Sequence, residues 1–357
     1  MLKSVAVVGA GIVGRLTSYL LAKKGYSVTL FDRNEPSGNG SCSYVGAGML
    51  APYCELETAE LEVTAAGIEG IHRWQEIIST LPKPVFFQQT GSLVVAHPND
   101  MRELDRLERE VQAAQPPSDA MQRVSTKEII ALEPEMTQGF HTGLYFPNEA
   151  QISNRDILVA LDAGIQQMGV VTRYGCEIET LEAGRLNNGT LWQGDYVIDC
   201  RGMGAKQDLT DFRGVRGELI RLHAPEVQLN RPVRIMHPRY PIYIVPRPNH
   251  HYILGATMIE SDDMSPISLR SSMELLSAAY AVHTGFAEAR VLENLVHCRP
   301  AFQDNLPKLI CEDGILRING LHRHGFLLTP SVVDAAIHQL EGTSCSEAQK
   351  TLLGMTP

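Results

Sequence analysis

The 357-residue chain contains no apolar run close to the roughly 20 residues that a membrane-crossing helix needs. Glycines interrupt the only apolar run near the start, "MLKSVAVVGAGIVG", so a secretory leader is not expected there. Cysteine pairs of the C-x-x-C type are absent. The seven cysteines, Cys42, Cys54, Cys176, Cys200, Cys298, Cys311 and Cys345, are scattered and odd in number. That argues for buried free thiols in a reducing compartment, the cytoplasm, rather than a disulfide framework. Dense basic clusters are also missing. With a formal charge of −10, neither nucleic acid nor an anionic membrane is an expected partner. The nearest basic stretch, Arg213 to Leu222, alternates as a strand does. There is no internal repeat and no long low-complexity linker.

What remains is an ordinary globular composition, 44 % apolar and 20 % charged, long enough for two domains. Ser4 to Val8 is a short apolar run rich in β-branched residues, the pattern of a central parallel strand. An amphipathic helix is expected from Ile12 to Lys24, and "SVTLFD" (Ser27 to Asp32) reads as a second strand. A helical pattern runs from Glu57 to about Leu81, with Leu61, Ile68, Ile71, Trp74 and Ile78 on one stripe. Helices are expected over Met101 to Gln112, Asn154 to Gln167 and Ser268 to Ala281. Strands recur from Gly217 to Thr257, and "GILRING" (Gly314 to Gly320) is the last of them. The final helix is read from Pro330 to Leu340, with Thr329 as its cap and Pro330 in its first position. An α/β start and end around a β-rich middle suggest two domains that the chain crosses more than once.

Three glycine-rich stretches carry the chemistry. "VAVVGAGIVG" places G-x-G-x-x-G directly after a strand and before a helix. Gly9 permits the tight turn, Gly11 lets backbone approach a pyrophosphate, and Gly14 allows close helix–strand packing. Asp32 closes the second strand about 18 residues after Gly14, where a carboxylate can accept from ribose hydroxyls. The pattern favours a dinucleotide without 2′-phosphate and leaves NAD and FAD open. "GNGSCSYVGAGMLAPYCE" (Gly38 to Glu55) is either a wall for a flat ligand or a surface loop. "DYVIDCRGMGA" (Asp195 to Ala205) is a strand ending at Gly202 and Gly204, a third close approach or a plain turn.

Taken with "YIVPR", "GATM", "RPAFQDNLP" and "GLHRHGFLLTP", in this order and spacing, these stretches resemble the D-amino acid oxidase family of flavoproteins. Within it, the set is most similar to the glycine oxidase branch associated with thiamine biosynthesis. The resemblance covers nearly the whole chain. It implies a Rossmann-like FAD-binding domain from residues 1–80, 150–215 and 300–357. This is interwoven with an antiparallel-sheet substrate domain from 81–149 and 216–299.

The resemblance also implies roles. Arg299 in "CRP" would pair with a substrate carboxylate, its planar fork suiting a bidentate contact, and would lie near the cofactor as well. Tyr243 would donate to the same carboxylate, Met258 would line the pocket over the ring, and Arg323 would stand near substrate and flavin. Non-covalent FAD is expected on Gly9, Gly11, Ile12, Val13 and Gly14, with Asp32 and Arg33 at its ribose. Ser41, Ser43, Gly48 and Met49 would lie along its middle, and Cys200 and Gly202 beside them. His324, Gly325, Phe326 and Leu327 would face the pyrimidine edge. There, main-chain N–H groups and a helix dipole favour the negative charge of the reduced ring. Related sarcosine oxidases attach flavin through a cysteine near Cys298, whose ordinary reading is a buried structural thiol. His322 and His324 lack a third ligand cluster, so no metal is expected, and they read as solvent-exposed or supporting residues. Where some glycine oxidases carry a histidine, this chain has Pro241.

The implied reaction is oxidative deamination of glycine or another small amino acid, such as sarcosine or a small D-amino acid. Hydride passes to flavin N5, and oxygen is the acceptor, giving hydrogen peroxide. The alternatives are a dehydrogenase of the same fold that delivers electrons to a quinone or carrier, and a flavin-binding partner or sensor without turnover. Homo-oligomers are common in the family.

Overall fold

The computed structural model describes residues 3–56, 61–136, 139–237 and 242–355. Two large sheets organise the chain. In the first, Ser4–Val8 is flanked by Ser27–Phe31 and Tyr196–Asp199, with Val171–Arg173 and Ile315–Asn319 beyond them, all parallel. Lys308–Glu312 closes one edge in the antiparallel sense. Val5 to Val8 are buried on both faces, which is why the run reads as continuously apolar. Helices Ile12–Lys23, Glu62–Ser79, Asn154–Gln167 and Gly325–Glu341 supply much of the surrounding core. Ser153 caps Asn154–Gln167 by accepting from the Asp156 N–H.

The second sheet has nine strands among the described residues. It is antiparallel apart from one parallel pairing, Val233–Met236 against Ser92–Ala96. Its longest members, Phe212–His223 and Arg290–Phe302, pair along their lengths and run without a break through positions 216 and 299. They tie the two sheets together and carry Arg299 into the space between them. Among the described residues no helix is long and apolar enough to cross a membrane.

Two helices depart from the expected pattern. In Glu62–Ser79 the buried face is Val63, Ala66, Gly67, Gly70, Ile71, Trp74 and Ile77, whereas Leu61 is 58 % exposed. Gly67 and Gly70 interrupt this face with bare backbone where the final helix packs close to it. Cβ atoms at Gly67 and Gly70 would run into the Leu327 side chain and the Leu327 carbonyl. The final helix begins at Gly325 rather than at Pro330, and Thr329 does not cap it. Thr329 Oγ1 instead donates back to the Gly325 carbonyl.

A helix tolerates Pro330 here because another donor replaces its missing N–H. The Phe326 carbonyl, which residue 330 would normally serve, accepts from Trp74 Nε1 at 2.6 Å. Trp74→Phe should therefore destabilise the fold by about 1–3 kcal/mol, the range for a buried carbonyl left without a donor. Adding Pro330→Ala, which restores a main-chain donor, should recover part of the loss. Equal melting temperatures for the single and double variants would rule this pairing out.

Candidate active site

A cavity of about 1710 Å³ lies between the sheets, lined from Asp32 and Glu177 at one end to Arg299 and Tyr243 at the other. The glycine turn lines part of it. Gly9 sits at φ +102°, and a Cβ there would overlap the Cys200 and Arg201 backbone. Gly14 does not line the cavity. A Cβ on it would overlap the Gly9 carbonyl, so its task is to let the helix meet the turn. The Asp32 carboxylate accepts from the Ala10 N–H at 2.5 Å and the Asn34 N–H at 2.7 Å while lining the cleft. Arg33 is exposed at the outer end, 3.7 Å from Glu177.

The stretch from Gly38 to Glu55 is a wall of this cavity. Ser41 caps a short helix, Cys42–Val45, and Ser43 Oγ accepts from the Ile12 N–H at 3.0 Å. Gly48, at φ +70°, passes so close to the Ile152 carbonyl that no side chain fits, and Met49 follows on the lining. Arg247, part of "YIVPR", holds this wall from behind by donating to the carbonyls of Ala47 at 2.5 Å and Ile152 at 2.8 Å. Burial lowers its pKa to about 9. On the opposite side Cys200 and Gly202 line the cleft, and Asn319 fixes the Gly202 turn by donating to its carbonyl at 3.0 Å.

The far end gathers most of the polar residues expected there. Tyr243 lies on Ile242–Arg247, opposite Gly255. Burial pushes its phenol to about 12, with Arg299 opposing, so it stays a donor. Arg299 Nη1 donates to the carbonyls of Thr257 at 3.1 Å and Arg216 at 3.5 Å. Among the described residues it has no carboxylate partner. Met258 lines the cavity at its mouth and is 52 % exposed. Arg323 is ion-paired, Nη2 to Glu55 Oε1 at 3.0 Å. Gly325 and Phe326 line the cavity, but the Leu327 side chain turns into the core. The early helix start explains this: Leu327 lies within the first turn, facing Gly67 and Gly70. Pro241 lies outside the described residues.

Both histidines are buried rather than solvent-exposed. Burial lowers His324 to about 4 against the pull of Glu55, while burial and Arg323 bring His322 to about 2. Both take up a proton in the unfolded chain near pH 6.5 that the folded protein refuses. Their contribution to stability is therefore complete above that pH and is lost as pH falls from 6.5 toward 4. The melting temperature should fall between pH 7 and 5, and His324→Asn should flatten part of that slope. An unchanged slope would mean that His324 is not held neutral in the fold. No group of three or more His, Cys, Asp or Glu side chains converges as a metal site among the described residues. Cys298 is buried, and its Sγ donates to the carbonyls of Ser261 at 3.5 Å and Asp263 at 3.8 Å. Burial raises its pKa, as expected of an unreactive thiol.

Several residues had no assigned role in the sequence: Glu55, Arg234, Cys42 and His297 on the cavity lining, and Arg247 behind its wall. Glu55 and Arg247 end stretches already singled out, "GAGMLAPYCE" and "YIVPR", but nothing local marks either as functional. The cleft fits a flavin adenine dinucleotide. It has the volume, a bare-backbone floor at Gly9 and Gly11, and a carboxylate at Asp32. It also has the N-terminal end of a 12-residue helix, whose dipole favours a pyrophosphate.

A family model described as DAO, FAD dependent oxidoreductase, matches residues 4–335. An oxidoreductase of Rhizobium etli named for thiamine biosynthesis, ThiO, is 40 % identical over 340 residues, covering 94 % of this chain and 96 % of its own. A glycine oxidase of Geobacillus kaustophilus is 24 % identical over 345 residues, covering 91 % and 89 %. The crystal structure of glycine oxidase from that organism shares the fold, with a TM-score of 0.82 at 21 % identity over 96 % of each chain.

Proposed function

This chain belongs to the DAO family of FAD-dependent oxidoreductases, and from that premise we propose that it oxidises glycine or another small amino acid at its carbon–nitrogen bond. For a primary amine, substrate, oxygen and water give the oxo acid, ammonia and hydrogen peroxide. Sarcosine and small D-amino acids belong to the same substrate class. The likeness to the Rhizobium etli protein supports a place in thiamine biosynthesis.

The observation that carries this reading is the pairing of Arg299 and Tyr243 at the end of the dinucleotide cleft. Arg299 offers its guanidinium to the cavity with only carbonyls as described partners. Tyr243 keeps its proton at any physiological pH. Together they bind one carboxylate, which leaves the amine and Cα directed into the cleft. FAD, when bound, supplies the two-electron acceptor that oxygen regenerates. Gly9, Gly11, Asp32, Gly48 and the start of Gly325–Glu341 would hold it. The remaining task of the protein is orientation and exclusion of water, for which no dedicated general base is required.

The test is the visible spectrum of purified protein before and after anaerobic addition of glycine, followed by admission of oxygen. Bleaching of a flavin spectrum, then recovery with one peroxide per turnover, is expected. A flavin that persists with glycine, sarcosine and small D-amino acids alike would overturn the proposal. Bleaching without peroxide would assign the electrons to a carrier instead.

A further inference from the structure

At the carboxylate end of the cavity Arg299, Arg323 and Arg234 line the wall together with the carboxylate of Glu55. Glu55 is set there with care. The main-chain N–H groups of Tyr53 and Cys54 donate to buried Glu149 at 2.9 and 2.8 Å. The Arg234 guanidinium donates to the Cys54 carbonyl. These contacts fix the turn so that Glu55 Oε1 lies 3.0 Å from Arg323, with Oε2 4.0 Å from His324 Nδ1. The Glu55 side chain is only 10 % exposed, and what is exposed lines the cavity. Burial alone would raise its pKa, but Arg323, His324 and Arg234 outweigh it and hold the group at about 2. It is therefore ionised throughout the working range. Its charge reaches the carboxylate site, since it acts on the Tyr243 phenol in the sense opposite to Arg299.

A pocket with several arginines would ordinarily welcome two anionic groups. Here the first carboxylate has Arg299 and Tyr243, but a second would meet the fixed charge of Glu55 beside Arg323. We infer that Glu55 is a specificity-determining residue that excludes substrates carrying a second carboxylate and so confines the enzyme to small monocarboxylic amines. The inference rests on the carboxylate site proposed above. Charge repulsion within one poorly hydrated cavity is enough to set a preference of about tenfold.

The experiment uses the FAD-loaded enzyme and two ligands that have no amine to oxidise. Glycolate presents one carboxylate, and diglycolate carries the same unit with a second. Each is titrated against the flavin absorption spectrum. Glycolate should bind the unaltered enzyme more tightly than diglycolate. Glu55→Gln should tighten diglycolate about tenfold relative to glycolate. Glu55→Asp, which keeps the charge, should preserve the original preference and also serves if the Gln variant fails to hold FAD. If glycolate does not perturb the flavin of the unaltered enzyme, the carboxylate site itself is wrong. If glycolate binds, the exclusion role falls when Gln leaves the ratio of the two affinities unchanged, or when Asp loses the preference as fully as Gln does.

Discussion

Replacing Arg299 with alanine is expected to raise the Michaelis constant for glycine by two to three orders of magnitude while the protein stays yellow. Removing one partner of a desolvated, hydrogen-bonded charge pair typically costs about 3–4 kcal/mol, which is a factor of that size. The fold should tolerate the change, because Arg299 gives up only carbonyl contacts, to Thr257 and Arg216. Arg299→Lys should lie between, keeping the charge and losing the planar fork. The position of the guanidinium depends on Gly217, where a Cβ would overlap it. Gly217→Ala should therefore resemble a milder Arg299 variant, with a raised Michaelis constant and a nearly normal melting temperature, since a flexible side chain can move aside. An Arg299→Ala enzyme with an unchanged Michaelis constant would remove the carboxylate role.

The second large effect is expected at Gly14. A methyl group there would overlap the Gly9 carbonyl, and both partners are backbone, so neither can turn away. The helix would have to lift off the turn, at a cost of about 3 kcal/mol or more. Gly14→Ala should purify without colour, with a markedly lower melting temperature. Gly25→Ala is the control. Gly25 has a positive φ, +87°, and its missing Cβ would meet nothing within 4 Å. It should lose only about 1–2 kcal/mol for the left-handed backbone and keep its flavin. A yellow, stable Gly14→Ala protein would show that the turn and helix are less tightly coupled than they stand here.

The parts of the fold legible in the sequence are those decided within a few residues. Gly9, Gly11, Gly14 and Asp32 announce themselves because a strand, a tight turn and a helix follow one another without interruption. The helix over Asn154–Gln167 is likewise legible in the sequence, with the bounds found in the fold. Pro330 misled for a definite reason. Its usual place is the first turn of a helix, and only the distant Trp74 indole makes an interior position acceptable. Arg290–Phe302 escaped notice because Pro300 interrupts its pattern. The strand pairs on one side only among the described residues, so the missing donor there does little harm.

The site divides in the same way. Arg299 and Tyr243 were placed by resemblance, and the cavity brings them together. Arg323 was expected near substrate, yet its closest described charge is Glu55, 268 positions earlier in the chain. No local pattern distinguishes Glu55 from a surface glutamate, and no local pattern tells that His322 and His324 are buried. Such groups acquire their character from neighbours that arrive by tertiary packing. Leu327 shows the converse: it lies next to lining residues in sequence, but the helical turn points it the other way.

The central strand has a consequence for synthesis. Ser4 is bonded through its main chain and hydroxyl to Asp195, 191 positions later. At the usual pace of about 5–20 residues per second, Ser4–Val8 waits roughly 10–40 seconds for its partner Tyr196–Asp199 to be made. Ile315–Asn319 comes later still. Until then the nascent sheet offers an apolar edge to other chains, and the glycine turn lacks the Cys200–Gly202 wall. The cleft is thus completed late in synthesis, since Cys200, Gly202, Arg299 and Phe326 on its lining all follow the first strand by nearly 200 residues or more.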